Sequence, residues 1–393
     1  MNPDDLLARV TWSLIAEPSD IIAMTARDEL GPVDALALAR EASAAETHAI
    51  LGDPPADPAA DGGSRNPRRR IEQALARWRA RLRVVDPAQH LELAGRRGIR
   101  VLVPETPQWP HVLADLRSAV PPCLWALGEG DVDLSARRGS VALVGSRAST
   151  PYGEDAAGTM AAALASRDIA VISGGAYGID AAAHRGALAA DGAPTIAVLA
   201  GGLDSLYPRG NTRLLESIRE RSVLVSEAPM GTAPTRWRFL ARNRLIAALA
   251  QVTVVVEASW RSGALSTARR ADDLSREVAA VPGPVTSAAS AGCHRLIRER
   301  GAVLVTEAAE VMELLPGAAP AGDSSHAVQD ELDLFSPADR RVLDAVPPRS
   351  AATLAALADS VGRTPEEVLA AVGRLELFGA VRMDGDLVRR ARR

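Results

Sequence analysis

The chain has no lysine. All 45 of its Lys+Arg positions are arginine, set against 49 aspartates and glutamates, for a formal net charge of −4. No global positive field therefore draws nucleic acid, and any basic patch must be local. Every contact to a phosphate must come from arginine, histidine, a hydroxyl or a backbone N–H. Aromatic residues make up only 3% of the chain, so any one of them in a loop asks for a reason. There are two cysteines, Cys123 and Cys293, far apart in sequence. That excludes a disulfide framework and fits a reducing compartment. No apolar run reaches the ~18 residues of a membrane helix, and the N-terminus shows no signal-peptide pattern. The expectation is a cytoplasmic protein with no membrane partner. Also missing are the dinucleotide fingerprint, a Walker A loop and a nucleophile elbow. No set of nucleophile, base and acid replaces them.

What is present is an alternation between Val141 and Val305. Val141 to Gly145 is a short apolar run fit for a buried strand, and Gly153 to Ser166 reads as a helix. The unit repeats: Ile169–Ile172 then Ala181–Ala190, and Thr195–Leu199, Val223–Val225, Val252–Val256 and Val278–Val281 as further strands. Strands alternating with helices predict an α/β fold with a parallel, doubly wound sheet. Six small-residue loops follow the strands, and in such a sheet they share one edge, where ligands bind.

The flanks read differently. Residues 1 to about 50 form a small helical module, suited to protein contact, a structural role or DNA, and residues 53–67 form a Pro- and Gly-rich linker. Arg68 to Arg83 is strongly basic, either a solvated helix face or an auxiliary phosphate contact. Gly98–Pro104 and Leu124–Gly128 are strands that extend the sheet. The expected divisions are 1–65 helical module and linker, 66–315 core, 316–330 linker and 331–393 a C-terminal winged helix. In that last unit Thr364-Pro-Glu-Glu367 is a capping box, and Asp384-Gly385 is a hairpin turn. The presumed recognition helix carries Glu366, Glu367 and Glu376 beside Arg374. That is a poor surface for phosphates and favours protein contact or regulation over duplex DNA.

Three loops carry the candidate chemistry. Gly145-Ser-Arg147 pairs a flexible turn with one cation at a strand end. Ser173-Gly-Gly-Ala-Tyr-Gly178 lets backbone approach a phosphate closely. Asp180 and His184, four apart, share a helix face. With no further ligands at metal spacing, an Asp180–His184 hydrogen bond anchoring the loop is expected. Pro234 to Arg244 packs four arginines, a Trp and a Phe into eleven residues. Cations beside a ring are what single-stranded nucleic acid needs: charge for the backbone and a face for a base. Arg236 and Phe239 are assigned to the ligand, and Arg244 to an ion pair with an acid.

Together and in this order, these motifs resemble the DNA-processing protein A (DprA/Smf) family over about residues 70 to 315. Gly145-Ser-Arg147, Ser173 to Asp180 with His184, Gly202-Leu-Asp204 with Tyr207-Pro208, Ser226-Glu227, Phe239 with Arg242-Asn-Arg244, Ser262-Gly263 and Val281-Pro-Gly283 carry the resemblance. It implies an extended Rossmann-like fold with no cofactor and no catalysis. It also implies a homodimer that binds single-stranded DNA and loads the RecA recombinase onto it, in transformation or recombination. The implied contacts are Arg147, Arg236 and Phe239, within a candidate set of Gly145, Ser146, Arg147, Gly174, Gly175, Arg236, Phe239 and Arg242. Two departures stand out: Leu240 where the family has proline, and Cys293-His294 where it has a small residue and asparagine. The alternative is a nucleotide-cleaving hydrolase of a related Rossmann-like group, but Ser262 to Ala268 lacks that group's glycines. A regulatory DNA-binding protein acting through its tail is a third reading.

Overall fold

The computed structural model describes residues 2–55, 66–190, 192–317, 336–347, 350–377 and 379–391. Most of the 53–67 stretch and of the 316–330 linker therefore lies outside the described residues. The chain forms two compact units, 1–319 and 320–393. No described helix is long and apolar enough to cross a membrane.

The first unit begins with the helices α1 (Pro3–Ile15), α2 (Ile21–Glu41), α3 (Ala44–Leu51), α4 (Pro67–Leu82) and α5 (Pro87–Arg96). Three of them open on the same local chemistry. Asn2, Asn66 and Asp86 each accept a backbone N–H of the first turn while a proline occupies the first helical position. Gly31, at φ 77°, kinks α2 where Leu30-Gly31-Pro32 breaks the apolar period. Trp12 and Trp78 meet edge to face at 5.1 Å in the core shared by α1, α2 and α4. The arginines of α4 divide between two environments: Arg68, Arg69 and Arg77 are exposed, while Arg79 and Arg81 reach across to neighbouring elements. Arg79 donates to the Ala39 and Ala42 carbonyls at the end of α2, and Arg81 to the Ile15 carbonyl and Glu17.

A nine-stranded sheet follows: β1 (Ile99–Leu102), β2 (Leu124–Leu127), β3 (Gly139–Gly145), β4 (Ile169–Ser173), β5 (Thr195–Leu199), β6 (Val223–Ser226), β7 (Val252–Glu257), β8 (Glu277–Ala280) and β9 (Val303–Leu304). Its order is β1-β2-β6-β5-β4-β3-β7-β8-β9. The strands from β6 to β9 are parallel, and β2 and β1 add an antiparallel edge. The helices α6 (Pro151–Ala165), α7 (Ile179–Ala189), α8 (Thr212–Arg221), α9 (Arg236–Leu249), α10 (Ala264–Asp273), α11 (Ala291–Arg300) and α12 (Ala308–Glu313) alternate with the parallel strands. Every residue of β7 is buried, as is expected of a strand covered on both faces. The doubly wound α/β reading holds, and the extension by 98–128 is the β1–β2 pair. Its connection adds a 3₁₀ segment, His111–Ala119, between Pro107-Gln-Trp-Pro110 and Pro121-Pro122. The chain builds β3 to β6 outward in one direction, then returns to place β7 on the other side of β3. The topological switch point is therefore the gap between the ends of β3 and β7.

In the second unit α13 (Pro337–Ala345), α14 (Leu354–Val361) and α15 (Pro365–Leu377) share an apolar core with an antiparallel sheet of β10 (Ala352–Thr353), β11 (Val381–Asp384) and β12 (Leu387–Arg390). Thr364 and Glu367 cap α15 reciprocally. Its one arginine, Arg374, is 2.6 Å from Asp339.

His184 on α7 does not bond Asp180. Its Nδ1 lies 2.7 Å from the Thr195 hydroxyl, which itself donates to the Val171 carbonyl. Nδ1 is therefore the protonated nitrogen, and Nε2 is buried with no hydrogen-bond partner among the described residues. Burial, helped by the charge of Arg242, pushes the imidazole pKa down to about 3. Unfolded His184 takes up a proton as pH falls through about 6.5, while the folded side chain does not. Stability should then fall on acidification, at about 1.4 kcal/mol per pH unit from this group. We expect His184→Asn to flatten that limb in urea unfolding between about pH 7 and pH 5. Parallel losses in both proteins would show that His184 is not held neutral.

Candidate nucleic-acid interface

The end of β3 is stitched to the end of β7: the Ser146 N–H donates to the Glu257 carbonyl at 2.7 Å. This contact requires a glycine before it. A Cβ on Gly145 would lie 2.5 Å from Ile179 and 2.8 Å from the Glu257 oxygen. The Glu257 carboxylate accepts the Thr150 N–H and hydroxyl at 2.9 and 2.6 Å, ahead of α6. It holds the loop after Arg147 and leaves Arg147 exposed.

The glycine-rich loop after β4 is held from inside. Asp180 Oδ2 accepts the N–H groups of Gly174 and Ala176 at 3.2 and 3.4 Å. Asn211 donates to the Gly175 and Ala176 carbonyls, both at 3.0 Å. Arg242, from α9, donates to the Gly174 carbonyl at 2.8 Å and to the Val198 carbonyl at the end of β5. Gly174 and Gly175 are buried behind this network, and the N–H of Gly174 points at a carboxylate. Neither glycine is among the residues that line the cleft between Arg147 and Trp260, which corrects their placement at its surface. Arg242 is corrected in role: it is 6% exposed, its pKa is lowered to about 10 by burial, and it supports the loop from beneath. Burial raises the Asp180 pKa, which Arg242 opposes.

Helix α9 divides its residues by face. Trp237 donates its indole N–H to Ser19 at 2.8 Å, and Arg238 pairs with Glu17 at 3.0 Å. Arg244 forms two bonds with Glu227, at 2.7 and 2.8 Å, and reaches the Pro18 carbonyl. Those three residues face the N-terminal helices, and Arg244 has the acid expected of it. Arg236, Phe239 and Leu240, at i, i+3 and i+4, face the other way. Arg236 is exposed at the first position of α9, with no acidic residue in that turn. A cation at the positive end of the helix dipole is unfavourable unless an anion joins it. Leu240, where proline was expected, keeps the helix N–H and lines the cleft.

The two walls enclose a cleft of about 780 Å³. Arg147 stacks over Phe239 with its guanidinium carbon 4.4 Å from the ring centroid, and Tyr207 lies 6.0 Å away on another side. Six arginines line the cleft (Arg147, Arg236, Arg242, Arg261, Arg269 and Arg295) against one acid, Asp180. The side chains of Arg147, Arg236, Arg261 and Arg269 make no hydrogen bond or ion pair among the described residues. Gly145, Ser146, Arg147, Arg236 and Phe239 thus come together as expected. Trp260, Arg261, Arg269 and Arg295 were missed. Their one sequence signal was a Trp-Arg pair directly after a strand in an aromatic-poor chain. Cys293 and His294 are structural: the thiol lies against the Val255 and Val256 carbonyls, and the imidazole meets the Gly283 carbonyl at 3.0 Å.

A model of the DNA recombination-mediator protein A family matches residues 100–316. A Mycobacterium tuberculosis protein named as a DNA processing protein DprA is 46% identical over 323 residues, covering 79% of this chain and 82% of that protein. Protein Smf of Escherichia coli is 46% identical over 176 residues, covering 44% of this chain and 46% of its own. The X-ray structure of DNA processing protein A (DprA) from Streptococcus pneumoniae aligns with a TM-score of 0.61 at 29% identity, over 80% of this chain and 98% of that one.

The Arg244–Glu227 pair, with side chains 8% and 7% exposed, gives a direct test of how the interface is held. Glu227→Ala strands a buried guanidinium and should cost about 3–5 kcal/mol in chemical denaturation. A loss below ~1 kcal/mol would mean that water reaches the pair.

Proposed function

The chain belongs to the DNA recombination-mediator protein A family, and we propose that its arginine-lined cleft binds single-stranded DNA. The observation that carries this reading is local charge: six arginines against one acid, around an aromatic ring, in a chain of net charge −4. Splayed bases offer faces to Phe239 and to the Arg147 guanidinium that a duplex keeps stacked. Arg147 and Arg236, exposed and unpaired, neutralise phosphates on either side of the ring. Gly145 and Ser146 set the angle at which Arg147 enters.

We further infer that the bound strand is passed to the RecA recombinase, that the protein acts in the cytoplasm as a homodimer, and that it performs no turnover. The first part follows from what the family resemblance implies. The reading of no catalysis is supported by the acids and bases at the edge. His184 is buried against Thr195, Asp180 accepts loop N–H groups, and the Glu257 carboxylate is taken by Thr150. Helix α15 has little to offer phosphates, since its one arginine is paired with Asp339.

Salt titrations of oligonucleotide binding separate the two contacts. Arg147→Ala should make log affinity against log salt shallower by about 0.7 per phosphate lost. Phe239→Ala should cost about 1–3 kcal/mol at every salt concentration and leave the slope alone. Because Arg147 touches Phe239, the double variant should lose less than the sum. Equal affinity for duplex and single strand, or slopes that respond the other way round, would overturn the cleft assignment.

The handover has its own readout. RecA filaments should form faster on single strands precoated with single-strand-binding protein when this protein is added. No acceleration would remove the RecA step and leave strand binding standing.

A further inference from the structure

The switch point has a second wall. β3 continues into Ser146 and Arg147, and β7 into Ala258, Ser259, Trp260 and Arg261. Neighbouring parallel strands end at one edge, so both turns open into the same cleft. Trp260 is 56% exposed there. The other tryptophans differ: Trp12, Trp78, Trp109 and Trp125 are buried, and Trp237 donates to Ser19. The guanidinium carbon of Arg295 lies 4.8 Å from the centre of the Trp260 ring. The pairing of Arg147 with Phe239 is thus repeated across the cleft by Arg295 with Trp260.

The pair is held in place by backbone. The Gly292 N–H donates to the Ala258 carbonyl at 2.7 Å, and a Cβ on Gly292 would lie 2.6 Å from that oxygen. Cys293 packs against the end of β7. The start of α11 is therefore pinned to the turn that carries Trp260, and Glu299, one turn on, bonds Arg295 Nε at 2.8 Å. Arg261 and Arg269, exposed and without ion pairs among the described residues, flank the ring. A flat ring with a stacked guanidinium, flanked by unpaired cations, fits a nucleobase and its phosphates.

We propose that Trp260 and Arg295 form a second base-stacking platform, so that one single strand crosses the switch point with bases on both Phe239 and Trp260 and phosphates against Arg261 and Arg269. The proposal rests on the reading of the cleft as a single-strand site. It assigns the β7 side of the cleft to the same strand as the β3 side.

The test uses the full chain and a fluorescent oligothymidylate of about 20 nucleotides. Wild type, Phe239→Ala, Trp260→Ala, Trp260→Phe and the Phe239→Ala/Trp260→Ala double variant are compared. Trp260→Ala should weaken binding by about five- to a hundredfold with an unchanged salt slope. The double variant should lose the product of the two factors, because the platforms are separate. Trp260→Phe should keep most of the affinity and lose the strand-dependent quenching of tryptophan fluorescence. That variant decides the matter should Trp260→Ala fail to fold. If wild type binds and Phe239→Ala weakens it, but Trp260→Phe keeps the quench and Trp260→Ala keeps its affinity, the second platform is wrong and the cleft reading stands. If wild type binds no oligothymidylate, both fall together.

Discussion

The ligand edge of this sheet depends on how the backbone groups at the ends of β4 and β5 are satisfied without water. Buried N–H and C=O groups must find partners, and here two charged side chains supply them. Asp180 takes the N–H groups of the glycine loop, and Arg242 gives to the carbonyls of Gly174 and Val198. Burial raises the Asp180 pKa and lowers that of Arg242, and each opposes the shift of the other. The loop that looks most like a phosphate cradle is therefore already filled by the protein's own carboxylate. What it contributes to the cleft is rigidity under Phe239.

That arrangement moves the work of binding outward. Arg242 lies 5.9 Å from the Phe239 ring on the inner side, while Arg147 covers the ring at 4.4 Å on the outer side. The ring is fixed between a structural cation and an exposed one. In the proposed complex a base meets a prearranged stack, and little entropy is lost in ordering it. Arg147 has the planar guanidinium that both stacks and bonds phosphate, two roles a lysine could not combine. In a chain without lysine the same side chain serves as carbonyl clamp, as ion-pair partner and as free cation. Burial and neighbours alone separate those uses.

Helix α9 shows the same economy. Trp237, Arg238 and Arg244 face Ser19, Glu17 and Glu227, while Arg236, Phe239 and Leu240 face the cleft. The N-terminal helices are thus fastened to the back of the helix whose front lines the cleft. A change that loosens them would reach the cleft through α9 without touching any residue in it.

Much of this was written in the sequence by itself. Apolar runs of strand length separated by helical periods dictate a doubly wound parallel sheet, and small residues after each strand dictate where its ligand edge lies. The Pro234–Arg244 segment declares a basic, aromatic surface there, and the capping and turn signals place the helices of the tail. Tertiary structure alone decided which polar side chains reach across. Spacing put Asp180 and His184 on one helix face, yet one bonds the loop behind it and the other a neighbouring strand, because packing between elements determines partners that periodicity cannot. Strand order was equally hidden. Only the placement of β7 beside β3 brings Trp260 to the cleft that Arg147 opens, more than a hundred residues earlier in the chain. A sequence states which face of its own element a residue occupies, and long-range pairing decides what that face meets.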